Sequence, residues 1–219
     1  LHGKFRRQRQ MCIRDRAIPR MKKLRAKFVR IMSYKVLEGE EQFVEERIRR
    51  LRLIVEAFSA EGITAIHENC MNYGGMSWKH TLELVDAVPG MKLVFDTANP
   101  AFNLDRSKVG EPWQDPWEFY QKVKQHIAYV HVKDCLNPSP ENNNQELYVY
   151  PGEGDGRVLE IMTGLKNSGY SGGISIEPHL AAVFHSADSI NKTDEDPKEI
   201  YVHYGRCLME MLDSIGYNY

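Results

Sequence analysis

Short runs of β-branched and apolar residues alternate with longer amphipathic segments along most of this chain, and this alternation constrains the fold more than any other feature. The pattern is typical of βαβ units and a parallel sheet. It predicts an α/β fold with five strands, at Lys27–Met32, Ile63–Glu68, Lys92–Asp96, Ala128–Lys133 and Gly173–Glu177.

The amphipathic segments between the strands predict helices. Glu40–Ala60 carries apolar residues at helical spacing and stops before Gly62, a residue type that commonly ends helices. Asp115-Pro116 offers an N-cap and a first-turn proline for a helix over Trp117–Ile127. We predict two further helices at Arg157–Asn167 and Pro197–Ile215, and a polar loop between Pro138 and Glu146.

The strand count predicts an incomplete barrel. A closed (β/α)₈ TIM barrel takes about 250 residues and eight strands, whereas this chain has 219 residues and five predicted strands. We therefore expect residues 26–219 to form a partial barrel of the TIM type, with the first three βα units missing. Its open edges favour self-association, as a homo-oligomer.

Residues 1–25 are crowded with Arg and Lys and show no sustained apolar period, which predicts a disordered or marginally helical basic arm. The stretch RQRQMCIRDR also resembles translated sequencing-adapter read-through, a non-native origin. We therefore leave this arm out of the fold prediction.

Composition excludes several classes of function. The 29 basic and 30 acidic side chains give a formal net charge of -1, so bulk charge predicts neither nucleic acid nor an anionic membrane as a partner. An apolar run long enough to span a membrane and an apolar signal core are both lacking, which leads us to expect a cytoplasmic location. The four cysteines show no C-x-x-C pair and no zinc-finger spacing.

Four predicted strands end in, or contain near their end, a side chain that could bind a metal ion: Glu68, Asp96, His131 and Glu177. Each pair of neighbours is separated by about one helix, one strand and two loops, so all four can reach the carboxyl end of one sheet, where active sites of parallel α/β folds lie. A single acid at a strand end is more often an N-cap or a surface charge, but four together favour a metal site.

The donors in this set are oxygen-rich and hard. Two glutamates, one aspartate and one histidine suit a single divalent ion such as Mn²⁺, Mg²⁺, Co²⁺ or Zn²⁺, and differ from a soft thiolate site.

Five short motifs around these residues carry a resemblance to a known family. HEN at 67–69, FDTAN at 95–99, HVKD at 131–134, PGEGDG at 151–156 and IEPH at 176–179 are similar, in order and spacing, to the sugar phosphate isomerase/epimerase family of xylose-isomerase-like TIM barrels. Relatives in that family include ketose 3-epimerases, hydroxypyruvate isomerase, inosose dehydratase and endonuclease IV. The resemblance covers residues 26–215.

The resemblance implies that Glu68, Asp96, His131 and Glu177 bind one divalent metal ion and that Glu68 and Glu177 also act as acid and base. The implied substrate is a small sugar, sugar phosphate, inosose or other polyol. A metal that chelates a carbonyl and its neighbouring hydroxyl acidifies the adjacent C–H and stabilises an enediolate. Two carboxylates can then epimerise or isomerise the sugar by exchanging the proton.

Departures from the ketose epimerase pattern leave an alternative open. Asn99 stands where those enzymes usually have a histidine, and Lys133 and Asp134 follow His131 where they place an arginine. The motifs HVKD and GEGDG are closer to inosose dehydratase, so a lyase is the alternative reaction. In that branch of the family, Lys133 contacts substrate oxygens. The other interpretation is that Lys133 lies at the strand end and faces solvent.

Other residues are candidates for the pocket. Asn99 is expected at its mouth, and His67 and His179 are substrate-binding candidates, although strand alternation places each on the face opposite its ligand neighbour. The amides of PGEGDG could cradle an anion or simply form a tight loop.

Two rival functions remain. An endonuclease IV-like DNA repair enzyme needs three metals and an Asp-x-His pair before the GEG turn, where this chain has Glu146-Leu147-Tyr148. The second rival function is that of a metal-binding fragment without catalytic activity.

Overall fold

The structure, a computed structural model, describes residues 13–180 and 196–219. Seven strands lie in these ranges: β1 (Phe28–Ile31), β2 (Thr64–Glu68), β3 (Lys92–Asp96), β4 (Ile127–Val132), β5 (Asp134–Leu136), β6 (Leu147–Val149) and β7 (Gly173–Ile176). The α-helices of the same ranges are α1 (Ile18–Lys23), α2 (Val44–Ser59), α3 (Trp78–Ala87), α4 (Pro116–Val123), α5 (Val158–Asn167) and α6 (Pro197–Ser214).

Five strands form one parallel sheet in the order β1-β2-β3-β4-β7. This confirms the predicted α/β fold and the five-stranded partial barrel of the TIM type. The ends of the five predicted strands differ from the observed ends by no more than one residue. Helices separate consecutive strands, as right-handed βαβ crossovers require.

Helices α3, α4 and α6 begin at capping side chains, those of Ser77, Asp115 and Asp196. The Asp115 side chain accepts a hydrogen bond from the Glu118 N–H at 2.9 Å, with Pro116 in the first turn of α4. The prediction that this helix continues to Ile127 is wrong, because a 3₁₀ turn follows α4 and Ile127 already belongs to β4. Sequence analysis also missed α3, which Ser77 caps.

An antiparallel hairpin, β5–β6, flanks the predicted polar loop. Its residues pair from Asp134↔Val149 to Leu136↔Leu147. The hairpin extends the chain beyond the end of β4 and brings Tyr148 above the sheet edge, where its ring lies against that of His179, with centroids 4.9 Å apart.

Apolar side chains bury the layer between sheet and helices. The largest cluster joins β3, β4, α4, α5 and α6, with Phe95, Phe119, Tyr120 and Tyr204 all at most 1% exposed. A second cluster packs α2 and α3 on β1 and β2. These clusters hold the sheet rigidly, which fixes the positions of the residues at its carboxyl edge.

The expected basic arm is described only in part. Its first twelve residues lie outside the described ranges. From Ile13 onward the segment is helical, and Ile18, 6% exposed, packs against Phe58 and Ile63. No helix in the described ranges is long and apolar enough to cross a membrane.

Candidate metal centre

Glu68, Asp96, His131 and Glu177 come together at the carboxyl edge of the sheet. Each offers one ligand atom, and these atoms lie within 4.8 Å of one another. Glu68 and Asp96 are the last residues of β2 and β3, and His131 pairs with Asp96 in the β3–β4 ladder. The structure thus brings together all four residues of the predicted metal site.

Backbone pairing continues past the strand ends and fixes the ligands in place. The Glu177 N–H donates to the Val132 carbonyl at 2.9 Å, which extends the β4–β7 ladder by one residue. The Asn69 side chain accepts from the Asp96 N–H at 2.7 Å and donates to the Asp96 carbonyl at 3.0 Å. Because Asn69 is adjacent to Glu68, this amide ties the ends of β2 and β3 to each other.

The two oxygens of Asp96 have different surroundings. Oδ1 accepts the N–H groups of Ala98 at 3.0 Å and Asn99 at 2.9 Å. Oδ2 is buried and makes no hydrogen bond to any residue that the structure describes, although the Lys133 Nζ lies 3.0 Å away as an ion pair. One oxygen is therefore anchored by the backbone, and the other faces the centre of the cluster.

The two glutamates follow the same pattern. Glu68 turns Oε1 towards His131 Nδ1 at 3.2 Å, while its Oε2 accepts from Arg30 at 3.0 Å. Glu177 turns Oε2 towards His131 Nδ1 at 3.3 Å, and within the described part of the chain this buried oxygen also makes no hydrogen bond. Three carboxylate oxygens and one imidazole nitrogen thus converge, a hard donor set that fits a divalent cation.

The carboxylates attract positive charge from two neighbours. Lys133 is 5% exposed in its side chain, and its Nζ lies 3.8 Å from Glu177 Oε2 as well as 3.0 Å from Asp96. Burial lowers the pKa of Lys133, but the charges of Asp96 and Glu177 outweigh that effect and raise it. The lysine is therefore a fixed cation inside the site.

Burial and mutual charge shift the pKa values of the ligands themselves. Burial, assisted by the negative charges of Glu68 and Glu177, raises the pKa of Asp96 to about 6. Burial lowers the pKa of His131, but the carboxylates of Glu177 and Glu68 beside its Nδ1 outweigh that effect and raise the pKa to about 9. Burial likewise disfavours charge on Glu177, yet His131 and His179 hold its pKa well below the usual range.

The predicted substrate-binding residues divide into two groups. Lys133 lies inside the cluster, His179 places Nε2 at 3.7 Å from Glu177 Oε1, and Asn99 donates its N–H to Asp96. The Asn99 Nδ2 is buried and makes no hydrogen bond among the described residues, so it is free to bind a ligand oxygen.

His67 lies elsewhere, and the structure does not bring it to the cluster. Its side chain is on the opposite face of β2, fully buried against Gly74 and Leu84. Nε2 hydrogen-bonds Asn72 Oδ1 at 3.1 Å, and burial lowers the pKa of His67 to about 4. The ring is therefore a neutral packing element on the helix side of the sheet, away from the cluster at which a substrate contact was predicted.

The glycine-rich turn PGEGDG is filled by the chain itself. Asp134 is fully buried, and its carboxylate accepts N–H groups from Gly152 at 2.8 Å, Gly154 at 3.1 Å and Gly156 at 2.9 Å. These are the amides that could have cradled an external anion. Of the two interpretations from sequence, the tight loop is the one observed.

Sequence analysis missed Arg30 and Tyr148. Arg30 shares a strand face with Phe28, and its guanidinium reaches Glu68. The alternation of side chains along KFVRIM places Arg30 and Phe28 on the same face of the strand. The sequence does not show which face of β1 is the barrel interior. Tyr148 follows the predicted polar loop, in a segment to which neither a strand nor a helix was assigned.

A cavity of about 200 Å³ lies beside the cluster, among the loops that follow β1, β2 and β3. Its lining includes Lys35, Asn72, Asn103 and Arg106 but none of the four candidate ligands. The cluster itself lies at the open sheet edge. The cavity is therefore a neighbouring feature and does not define the metal centre.

Comparisons with known proteins agree with this geometry. A family model described as xylose isomerase-like TIM barrel matches residues 3–199. A D-tagatose 3-epimerase-like protein is similar in structure, with a TM-score of 0.71 and 23% identity over 99% of this chain and 73% of that one. No curated protein sequence matches the chain.

Two further solved structures are similar. A xylose isomerase domain protein from Planctomyces limnophilus has a TM-score of 0.66 and 19% identity, over 94% of this chain and 68% of its own. A xylose isomerase-like TIM barrel protein from Mycobacterium smegmatis, solved in complex with magnesium, has a TM-score of 0.64 and 15% identity, over 91% of this chain and 66% of that one. At these identities the likeness shows the fold.

Proposed function

This chain belongs to the xylose isomerase-like TIM-barrel family, and we propose that it takes part in metal-dependent proton transfer on a small sugar or polyol, as an isomerase or epimerase. The observation that carries this proposal is the convergence of three carboxylate oxygens and His131 Nδ1 at the sheet edge. The epimerase-like and magnesium-bound structural neighbours are consistent with it.

Glu68, Asp96, His131 and Glu177 are the proposed ligands. A divalent ion bound by them would act as a Lewis acid that polarises a substrate carbonyl and makes the adjacent C–H more acidic. Asp96 and His131 lie on the two central strands of the set, so their role is to hold the ion.

Glu68 and Glu177 are the proposed acid and base. They come from β2 and from the end of β7, on the two sides of Asp96 and His131. A carboxylate on one side can remove a proton from carbon, and one on the other side can return it. Return to the same carbon from the other side inverts it, whereas return to the neighbouring carbon isomerises the sugar.

Lys133, Asn99 and His179 are the proposed substrate contacts. The Lys133 ammonium can stabilise the negative oxygen that develops when the proton leaves carbon. Among the described residues, the Asn99 Nδ2 and the His179 Nδ1 are buried polar atoms without a hydrogen bond, so both can bind substrate hydroxyls.

A three-metal nuclease receives less support. In the described ranges, the four-residue cluster is the only group of three or more His, Cys, Asp or Glu side chains close enough to share a metal ion. Glu146-Leu147-Tyr148 stands where that reaction needs an Asp-x-His pair.

Deuterium exchange tests the proposal directly. The chain is incubated in D₂O with Mn²⁺ and a panel of ketoses, inososes and sugar phosphates, and deuterium at the carbon next to the carbonyl is followed by NMR. We expect exchange with at least one substrate and its loss on chelation. Formation of an unsaturated product would instead identify the lyase alternative, and no turnover with any metal and substrate would contradict both.

Glu177→Gln separates chemistry from folding. The amide keeps the shape but cannot accept the proton, so exchange should fall by roughly 100-fold or more while circular dichroism is unchanged. Glu160→Gln, an exposed position on α5 that pairs with Arg157 at 3.3 Å, is the matched control and should exchange as the unmodified chain does. Unchanged exchange in Glu177→Gln would remove this residue from the mechanism.

A further inference from the structure

Arg30 lies on the inner face of the sheet, just below the cluster. On β1 it is aligned with Ile66 of β2, two residues before Glu68, and both side chains point to the barrel interior. Phe28 shares this face and meets the ring of Tyr129 across the interior, with centroids 6.1 Å apart. The long side chain of Arg30 therefore rises from the interior towards the candidate ligands.

The contacts of Arg30 are selective for particular oxygens. Nη1 lies 3.0 Å from Glu68 Oε2 and 4.0 Å from Glu177 Oε1. These are the two glutamate oxygens that do not face His131, whose Nδ1 is close to Glu68 Oε1 and Glu177 Oε2. We propose that Arg30 is a positioning residue: it hydrogen-bonds the outer oxygen of Glu68, attracts that of Glu177 as a longer ion pair, and so aims their inner oxygens at the metal centre.

The physical need for such a residue follows from the side chains it holds. A glutamate has three rotatable side-chain bonds, and Glu68 is only 3% exposed, so its outer oxygen needs a partner in place of water. Asp96 has its outer oxygen anchored by two backbone N–H groups, whereas the Arg30 guanidinium supplies that anchor for Glu68. The Arg30 guanidinium is planar and rigid, and its Nη1 lies between the two carboxylates, whereas a lysine ammonium is a point charge on a flexible stem.

This inference rests on the proposed function. The sign of the change in metal affinity when Arg30 is replaced distinguishes a positioning role from an effect of charge alone. Removing a cation beside a metal site would by electrostatics tighten metal binding. Loss of an outer partner that orients the ligands weakens metal binding or activity by roughly 10- to 100-fold in known metal sites. The direction of the change in affinity therefore decides between the two effects.

Mn²⁺ affinity, measured by titration calorimetry on the full chain, is the first readout. We expect Arg30→Met to weaken Mn²⁺ binding by roughly 10-fold or more, and Arg30→Lys to recover only part of the loss. Arg50→Met is the matched control, since Arg50 is similarly exposed and pairs with Glu46 at 2.7 Å on the outer surface of α2. Unchanged or tighter binding in Arg30→Met, or full recovery by lysine, overturns the proposal.

A metal-free measurement keeps this test separate from the proposed function. In a double-mutant cycle of Arg30→Met with Glu68→Gln, unfolded by urea in EDTA, we expect a coupling of about 10-fold in the unfolding equilibrium constant, or about 1.4 kcal/mol. Coupling below twofold overturns the positioning role. If the unmodified chain binds no Mn²⁺, the proposed function fails, and the cycle still decides whether Arg30 holds Glu68.

Discussion

Replacement of Asp134 tests the account of the glycine-rich turn. The carboxylate accepts four backbone N–H groups: Gly152 at 2.8 Å and Gly154 at 3.1 Å on Oδ2, and Gly156 and Cys135 at 2.9 Å each on Oδ1. Burial raises the pKa of Asp134, and the four donors oppose that effect. Asp134→Ala removes the acceptor and leaves the donors facing an apolar methyl group.

The expected decrease in the free energy of unfolding can be estimated from each hydrogen bond that is lost. Gly152 is exposed, so water can replace its acceptor, whereas Gly156 and Cys135 are buried. A buried donor left without a partner costs about 1–3 kcal/mol, so these two, with a part of Gly154, give about 3–5 kcal/mol for Asp134→Ala. Asp134→Asn keeps one oxygen but turns an NH₂ group towards the backbone donors, and we expect it to destabilise the chain by about 2 kcal/mol.

Urea unfolding and amide hydrogen exchange provide the assay. Asp134→Ala should lower the unfolding midpoint and speed exchange at residues 152–156, while Asp86→Ala, an exposed position on α3, should leave both unchanged. A loss below about 0.5 kcal/mol in Asp134→Ala, or protected amides in the turn, would refute the conclusion that this carboxylate holds the loop.

Two further predictions concern Gly154 in the glycine-rich turn and His67 in β2. A Cβ at Gly154 would lie 2.5 Å from Asp134 Oδ1 and 2.6 Å from the Cys135 carbonyl, so Gly154→Ala should cost about 1–3 kcal/mol in urea unfolding, whereas Gly205→Ala in α6 has room and should be neutral or stabilising. The pKa of His67 is about 4 in the folded chain against 6.5 for the free residue, so the unfolded chain takes up this proton first and stability should fall as the pH drops from about 6.5 to 4. The loss in the free energy of unfolding approaches about 3 kcal/mol. In EDTA, the stability of His67→Gln should therefore fall less with acid than that of the unmodified chain. An equal fall in the two chains would contradict the lowered pKa of His67.

The candidate site could be predicted because it depends on strand ends. A parallel strand of β-branched residues is recognisable from its own sequence, and all such strands in a βαβ fold end at the same edge. Glu68, Asp96 and His131 therefore had to lie near one another once β2, β3 and β4 were assigned. The helix α3 escaped prediction because its apolar period is short and its Ser77 cap was overlooked.

The sequence by itself determined the five strands of the parallel sheet, their order and the edge at which the four candidate ligands meet, because periodicity and βαβ connectivity are local properties. Only the tertiary structure decided which partners the remaining polar groups find. Arg30 and Glu68 are 38 residues apart, and Asp134 and Gly156 are 22 apart, so no local pattern records either contact. Burial leaves each such group without water, and the partner it then takes is whichever the packed fold brings within hydrogen-bonding distance.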